Sequence, residues 1–259
     1  MTEGFIDADF IVYKGCAAAE MDIDYGNDVI VVQSKFSEAL KNVTRDLDRI
    51  KNNISDGFDE IELVLFFSDS TNFRKKIYPD YKGHRNRKKP CGYRKVINEL
   101  KHRYQVVVLP ELEADDALGI YATRHPGNII VSPDKDLKQI PGQLFNMEEM
   151  MSVEKEEGRR WHLIQTLAGD QTDGYAGAPG YGVKTATKLF EEKGYTWETV
   201  VEAFKSKGLD EELALQNARL AKILTDKEYD FKNDRVKLWS PSNADHRIDD
   251  GAGLENAGD

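Results

Sequence analysis

The chain has 259 residues, 40% hydrophobic and 32% charged, enough to bury a full core as one large domain or as a domain with a smaller appendage. It holds no apolar run near the roughly 20 residues a membrane helix needs and no N-terminal signal-peptide pattern, so a cytoplasmic, non-membrane protein is expected. Cys16 and Cys91 are the two thiols, too few and too poorly accompanied by histidine for a disulfide framework or a zinc site.

The formal net charge of -10 hides a segregation. Between Arg74 and Arg103 stand 12 Lys and Arg against Asp80 and Glu99, a local net of +10, so the rest of the chain carries -20. A basic arm of this kind suits a polyanion, and an acidic remainder suits bound cations. A solvated helix face is the alternative for the run taken alone.

The first segment, FIDADFIVY (5–13), is an apolar run holding Asp7 and Asp9. It predicts a buried strand, whose period of two puts both carboxylates on one side. Phe36, Leu40, Val43, Leu47, Ile50 and Ile54 then recur at helical spacing. Strand-like runs follow at 61–68 and 106–110, then a helix over 113–124, a β-branched run at 128–132, a short helix after Pro133 and the run QLFNM at 143–147. Strands alternating with helices predict an α/β fold whose mainly parallel central sheet is flanked by helices. The expected sheet domain covers 1–158, with a basic arm over about 71–103. A helical region over 159–239 contains the turn GAPGYG (177–182), and the polar, glycine-rich end, 240–259, is expected to be a disordered acidic tail.

Function in such sheets gathers at the carboxyl ends of the strands. Asp69 follows the second apolar run, Glu113, Asp115 and Asp116 the third, and Asp134 and Asp136 the fourth. Carboxylates so clustered repel one another unless protons or cations intervene. Oxygen ligands without His or Cys favour Mg²⁺ or Mn²⁺, and two such ions about 4 Å apart can clamp a phosphodiester. Each acid alone is also a good helix cap or dipole partner, as Ser132 or Asp134 in SPDKD and the acids of LEADD would be. The glycine-rich turn before a helix opening near Val183 offers backbone N–H groups to phosphate. Lys184 and Lys188 add charge there, although such a turn can equally be a plain connection.

Taken together and in this order, FIDAD, SDSTNFRKKIYPDYKGHR, LEADD, SPDKDL and GDQTDGYAGAPGYGVKTA resemble the structure-specific 5′-nuclease family. That family includes phage 5′→3′ exonucleases, flap endonucleases and the 5′-nuclease domain of bacterial DNA polymerase I. The resemblance implies a PIN-like sheet, a helical arch over single-stranded 5′ ends and a helix-three-turn-helix element that grips duplex DNA. It implies metal ligation by Asp7, Asp69, Glu113 and Asp115 at one ion and by Asp134, Asp136 and Asp170 at a second, with Asp116 and Asp173 acting directly or through water. Lys82 and Arg85 match residues that contact the scissile phosphate. DNA contacts are implied for Arg74, Tyr81, Arg87, Lys88 and Lys89 in the arm and for Gly180, Gly182, Lys184 and Thr185 in the hairpin, where a K⁺ ion is also implied. Tyr78 and Tyr81 either stack on an unpaired base or pack the arch. The implied substrates are DNA 5′ ends, flaps or nicks and RNA-DNA hybrids, acted on by a monomer that meets single-strand-binding or replication proteins in the cytoplasm of a phage host.

Two features depart from the family pattern. Asp9 stands outside the matched ligands and is assigned a supporting role, orienting ligands or a metal-bound water. Pro90 and Gly92 predict that the arch helix begins only near Tyr93. Competing readings are a non-catalytic DNA-binding scaffold on the same fold, a ribonuclease with a related sheet and, from the DAD string, a haloacid-dehalogenase-type phosphatase.

Overall fold

A computed structural model describes residues 2–55, 61–85 and 88–244. Arg87 and residues 245–259 of the expected tail lie outside the described residues. Strand β1 (Thr2–Asp7) runs into helix α1 (Ala8–Ala17), and a β2–β3 hairpin (Glu20–Asp24, Ile30–Ser34) leads to α2 (Phe36–Ile54) and β4 (Ile61–Phe66). Helices α3 (Arg74–Ile77) and α4 (Tyr93–Leu100) precede β5 (Gln105–Val107), α5 (Ala114–Arg124) and β6 (Ile129–Val131). A 3-10 turn (Lys135–Gln139) then joins β7 (Gly142–Phe145), β8 (Met150–Val153) and α6 (Lys155–Ala168).

The sheet has the order β5-β4-β1-β6-β7-β8 and is parallel except for β8. Strand residues alternate between its faces. Ile6, Leu63 and Leu65 join α1, α2 and α4 on one side, while Phe5, Val64 and Phe66 join Leu118 and Ile120 of α5 on the other. Full burial of each such side chain contributes about 1.5–3 kcal/mol.

The predicted strand 5–13 is corrected. β1 ends at Asp7, and Asp9 lies in the first turn of α1. The buried positions Ala8, Ile11, Val12, Gly15 and Cys16 follow helical, not alternating, periodicity. Gly15 carries the packing of α1 on α2, because a Cβ there would lie 2.5 Å from the Val43 side chain. Hairpin β2–β3 and strand β8 have no counterpart in the sequence reading.

Within the basic segment, the helix expected near Tyr93 is α4, which buries Tyr93, Val96 and Leu100 against the sheet domain. The segment before it holds the four-residue α3 and a series of turns. The expected boundary at 158/159 falls inside α6, which is continuous from Lys155. Beyond α6, β9 (Gly169–Asp170) pairs with β10 (Tyr175–Ala176), followed by α7 (Val183–Lys193), α8 (Trp197–Lys205) and α9 (Glu211–Ala221). Leu163, Leu167, Phe190, Val200 and Phe204 form their shared core. Among the described residues no helix is long and apolar enough to cross a membrane.

Candidate active site

Strands β4 and β5 build out on one side of β1, and β6 and β7 on the other. Their carboxyl ends therefore open a crevice at the switch point. There the structure brings together Asp7, Glu113, Asp115, Asp134, Asp136, Asp170 and Asp173 around a cavity of about 500 Å³. Asp7 closes β1, Glu113 is the N-cap residue of α5, Asp115 sits in the first turn of α5, and Asp134 caps the 3-10 turn by accepting from the Asp136 N–H at 2.9 Å.

Among the described residues Asp7, Asp115, Asp134, Asp136 and Asp170 have no ion-pair partner within 4.0 Å. Burial, with Asp9 and Asp134 nearby, pushes the Asp7 carboxyl up to about 6 against a hydrogen bond from Ser132. Burial and the Asp134, Asp170 and Asp173 charges push Asp136 up to about 7. Asp115 is raised well above the usual range by burial and by Asp7, Asp134 and Glu113. No three His, Cys, Asp or Glu side chains among the described residues already stand at metal-coordinating spacing. The donor set nevertheless fits a hard divalent cation. Asp7, Asp115, Asp134, Asp136 and Asp170 offer half-buried, mutually repelling carboxylate oxygens that no ion pair engages among the described residues.

Two cations, Lys82 and Arg85, also line the cavity. Lys82 donates to Glu113 at 2.5 Å and lies 3.6 Å from Asp173, while Arg85 donates to Asp173 at 2.7 Å and to the Thr172 carbonyl at 3.0 Å. Burial alone would push Glu113 up, but Lys82 and Arg74 outweigh it and hold that carboxyl at about 2. The Lys82 backbone is left-handed, with φ 55°. Such strain costs on the order of 1–3 kcal/mol in a residue other than glycine and collects at functional sites. The Lys82 N–H bond to the Asp173 carbonyl, 2.8 Å, holds it there.

Four expected site residues are engaged by protein partners instead. Arg74, expected to bind DNA, is 1% exposed. It forms a bidentate pair with Asp116 at 2.6 and 2.8 Å and donates to the Leu220 and Lys222 carbonyls at 2.9 and 2.6 Å. Asp116, expected at the metals, is consumed by that pair and by the Leu224 N–H. Tyr81 is also buried, its hydroxyl shared between Glu113 and Asp173 at 3.0 and 2.8 Å, so packing and not base stacking accounts for it. Tyr78 packs on the same buried cluster. Asp69 does not line the cavity. Its oxygens accept from the Glu111 and Ser70 N–H groups and from Thr71, which hold it below the usual carboxylate range. Lys89 does reach the cavity rim, 3.3 Å from the Tyr93 hydroxyl, and Lys88 is exposed.

Asp9 lines the cavity, with partners of its own. One oxygen accepts from the Ser68 N–H at 2.8 Å, and the other accepts from the Tyr93 hydroxyl, tying α1 to α4 at the rim. The sequence reading missed Tyr93 in this role. It also missed Ser132 as a partner of Asp7. The Ser132 hydroxyl donates to Asp7 at 2.9 Å and accepts from the Asp134 N–H at 3.1 Å. Only its place directly after β6 could have pointed to it.

The glycine-rich hairpin is a separate surface, and none of Gly180, Gly182, Lys184 and Thr185 lines the cavity. Gly169 and Gly177 let the chain cross itself, since a Cβ on Gly169 would lie 2.1 Å from the Gly177 nitrogen. Gly180 takes φ 86°, and the Thr185 hydroxyl lies 3.2 Å from the Gly180 carbonyl and 3.0 Å from that of Gly182, so both carbonyls face the start of α7. Lys184 and Lys188 on α7 are exposed.

An acidic crevice at the switch point of a parallel sheet, flanked by Lys82 and Arg85, defines a hydrolase-type site for phosphate esters. Residues 5–162 match the model of the 5′–3′ exonuclease N-terminal resolvase-like domain, and the chain belongs to that family. It is 29% identical to the exodeoxyribonuclease of Enterobacteria phage T3 over 91% of this chain and 92% of that one. The bacteriophage T5 5′-exonuclease, solved with zinc ions bound, shares the fold at a TM-score of 0.62 and 15% identity, covering 85% of this chain and 89% of that one. The T5 flap endonuclease, solved in a pseudo-enzyme-product complex with DNA and metal ions, gives a TM-score of 0.62 at 14% identity over 86% and 89% of the two chains.

Proposed function

We propose that this protein is a divalent-metal-dependent, structure-specific 5′ nuclease that hydrolyses phosphodiesters near DNA 5′ ends, as a 5′→3′ exonuclease or 5′-flap endonuclease in DNA replication. The observation that carries it is the cavity in which unpaired carboxylates face Lys82 and Arg85. Asp7, Glu113, Asp115, Asp134, Asp136, Asp170 and Asp173 are the proposed holders of two Mg²⁺ or Mn²⁺ ions. When bound, such ions supply Lewis-acid charge and lower the pKa of water.

The chain's own residues then divide the work. Ser132 orients Asp7, and Asp134 and its capped turn fix the spacing to Asp136. Lys82 and Arg85, held in place by Glu113 and Asp173, supply positive charge for a phosphate entering the cavity. The exposed start of α7 suits contact with duplex backbone and, through the Gly180 and Gly182 carbonyls, a K⁺ ion. Contacts of these kinds read the shape of the backbone and not its sequence. The same reading extends to RNA-DNA hybrids at primers, to a monomer acting in a host cytoplasm and to encounters with single-strand-binding or replication proteins.

The test is a 5′-flap DNA labelled at one end and incubated with Mg²⁺. Size-resolved products that disappear in Asp134→Asn, with DNA binding retained, are expected. DNA binding without cleavage by the wild type would support the scaffold instead, and phosphate release from small phosphoesters would support the phosphatase.

A further inference from the structure

Behind the cavity, a chain of amide hydrogen bonds runs from the backbone after α9 to one of the acidic side chains. The Ile223 N–H donates to Gln139 Oε1 at 3.0 Å, which leaves Gln139 Nε2 to donate to the Ala221 carbonyl at 2.7 Å and to Gln165 Oε1 at 2.8 Å. With its oxygen so used, Gln165 presents its Nε2 to Asp136 Oδ1, at 2.6 Å. Backbone groups at Ala221 and Ile223 dictate the first amide orientation, and that orientation dictates the second.

We propose that Gln165 is a positioning residue for Asp136, pinning one carboxylate oxygen so that the other is aimed at a divalent cation in the cavity. The inference rests on the nuclease reading. Gln139 is 4% exposed and Gln165 6%, so neither amide has water to substitute for the relay. Oδ2 of Asp136 has no hydrogen-bond partner among the described residues, whereas Oδ1 is taken. The relay is built by close packing. Gly158 of α6 sits against the 3-10 turn so tightly that a Cβ would lie 2.2 Å from the Gln139 carbonyl oxygen. Two buried amides satisfied only by each other would serve packing. A directional chain ending on a carboxylate without a cationic partner serves a ligand.

A neutral amide is suited to this task. A Lys or Arg at 165 would neutralise Asp136 and compete with the metal, and an aliphatic residue would leave the carboxylate free to rotate among the repelling charges of Asp134, Asp170 and Asp173. Because Gln165 lies on α6 and the Ala221 carbonyl that orients Gln139 lies at the end of α9, the geometry of the acidic site is set in part by the helical region.

The test measures Mn²⁺ binding to the DNA-free full chain by titration calorimetry, with kcat and KM on a flap substrate measured alongside. Gln165→Met, which keeps length and loses the donor, is expected to weaken Mn²⁺ affinity by about 10- to 100-fold and to lower kcat at sub-saturating metal, with KM for DNA unchanged. Should that variant fail to fold, Gln165→Asn retains a buried amide but falls one methylene short of Asp136, and the same loss of Mn²⁺ affinity is expected. A wild-type Mn²⁺ isotherm in a folded variant of either kind would overturn the positioning role. Asp136→Asn separates the premise from the inference. If that variant also binds Mn²⁺ as the wild type does, the metal assignment of Asp136 fails, and the role of Gln165 fails with it.

Discussion

Arg74 and Asp116, separated by 42 positions in the chain, meet as a bidentate ion pair at 2.6 and 2.8 Å with both side chains out of water. The same guanidinium clamps two carbonyls at the end of α9, so the pair ties the basic segment, α5 and the helical region together. Arg74→Met is expected to destabilise the fold by about 3–5 kcal/mol, because it leaves Asp116 buried and unpaired. Urea unfolding checks it. The expected pattern is a loss of stability that the double variant Arg74→Met with Asp116→Leu recovers in part; a stable single variant with weakened DNA binding would return Arg74 to the DNA interface.

Asp115 illustrates the opposite economy. It lies half-buried among Asp7, Asp134 and Glu113 with no ion-pair partner among the described residues, so in the absence of divalent ions it is a destabilising charge. Asp115→Asn is expected to raise the melting temperature in EDTA by several degrees, on the order expected for about 1 kcal/mol. Mg²⁺ should then stabilise the wild type more than the variant, and cleavage should be lost. Equal Mg²⁺ shifts in both proteins, read by differential scanning fluorimetry, would contradict this.

For Lys82 the expected defect is in turnover. Its ammonium is held over the acidic wall by Glu113, in a backbone conformation few residues other than glycine adopt. Lys82→Ala should lower kcat by about 100-fold or more while changing the Kd for flap DNA less than about tenfold. Single-turnover cleavage and fluorescence anisotropy separate the two quantities.

His162 supplies a pH dependence opposite in sign to that of the acidic site. Its ring nitrogen donates to the Ala218 carbonyl at 2.8 Å in the helical core, and burial first, then the nearby Lys222, lowers its pKa from 6.5 to about 3. A base whose folded pKa is depressed takes up its proton in the unfolded state first, so stability is intact above about 6.5 and falls as the pH drops towards about 3. Raised carboxylates such as Asp136 run the other way, gaining stability on acidification. The comparison is therefore between wild type and His162→Gln. The wild type should lose about 2 kcal/mol more than the variant between pH 7 and pH 5. Parallel urea midpoints at the two pH values would rule it out.

Tyr93→Phe removes the hydroxyl donated to Asp9 and leaves that carboxylate with the Ser68 N–H. A hydrogen bond to a charged group is worth about 1.5–3 kcal/mol. The expected result is destabilisation of that size together with faster amide exchange in α4, measured by hydrogen-exchange mass spectrometry. Unchanged α4 protection would mean that apolar packing alone holds the helix.

Local chemistry determined much of this protein. Alternation of apolar runs with helical periods places α2, β4, α5 and β6 close to where they stand, because burial on a two-sided sheet demands those patterns. Acids directly after strands predict an acidic crevice, because parallel strands deliver their carboxyl ends to one edge. What the linear chain does not hold is the partner of each charge. Asp7 and Asp9 look equivalent in DAD, and both line the cavity, but a strand-to-helix switch at Ala8 gives Asp7 the hydroxyl of Ser132 and Asp9 that of Tyr93. Arg74 and Lys82 belong to one basic run, yet a carboxylate 42 residues beyond Arg74 draws it into the core while Lys82 is left at the wall of the cavity. A charge is exposed or buried according to whether a counter-charge waits inside. That is decided by contacts between segments far apart in sequence, and so by the tertiary structure alone.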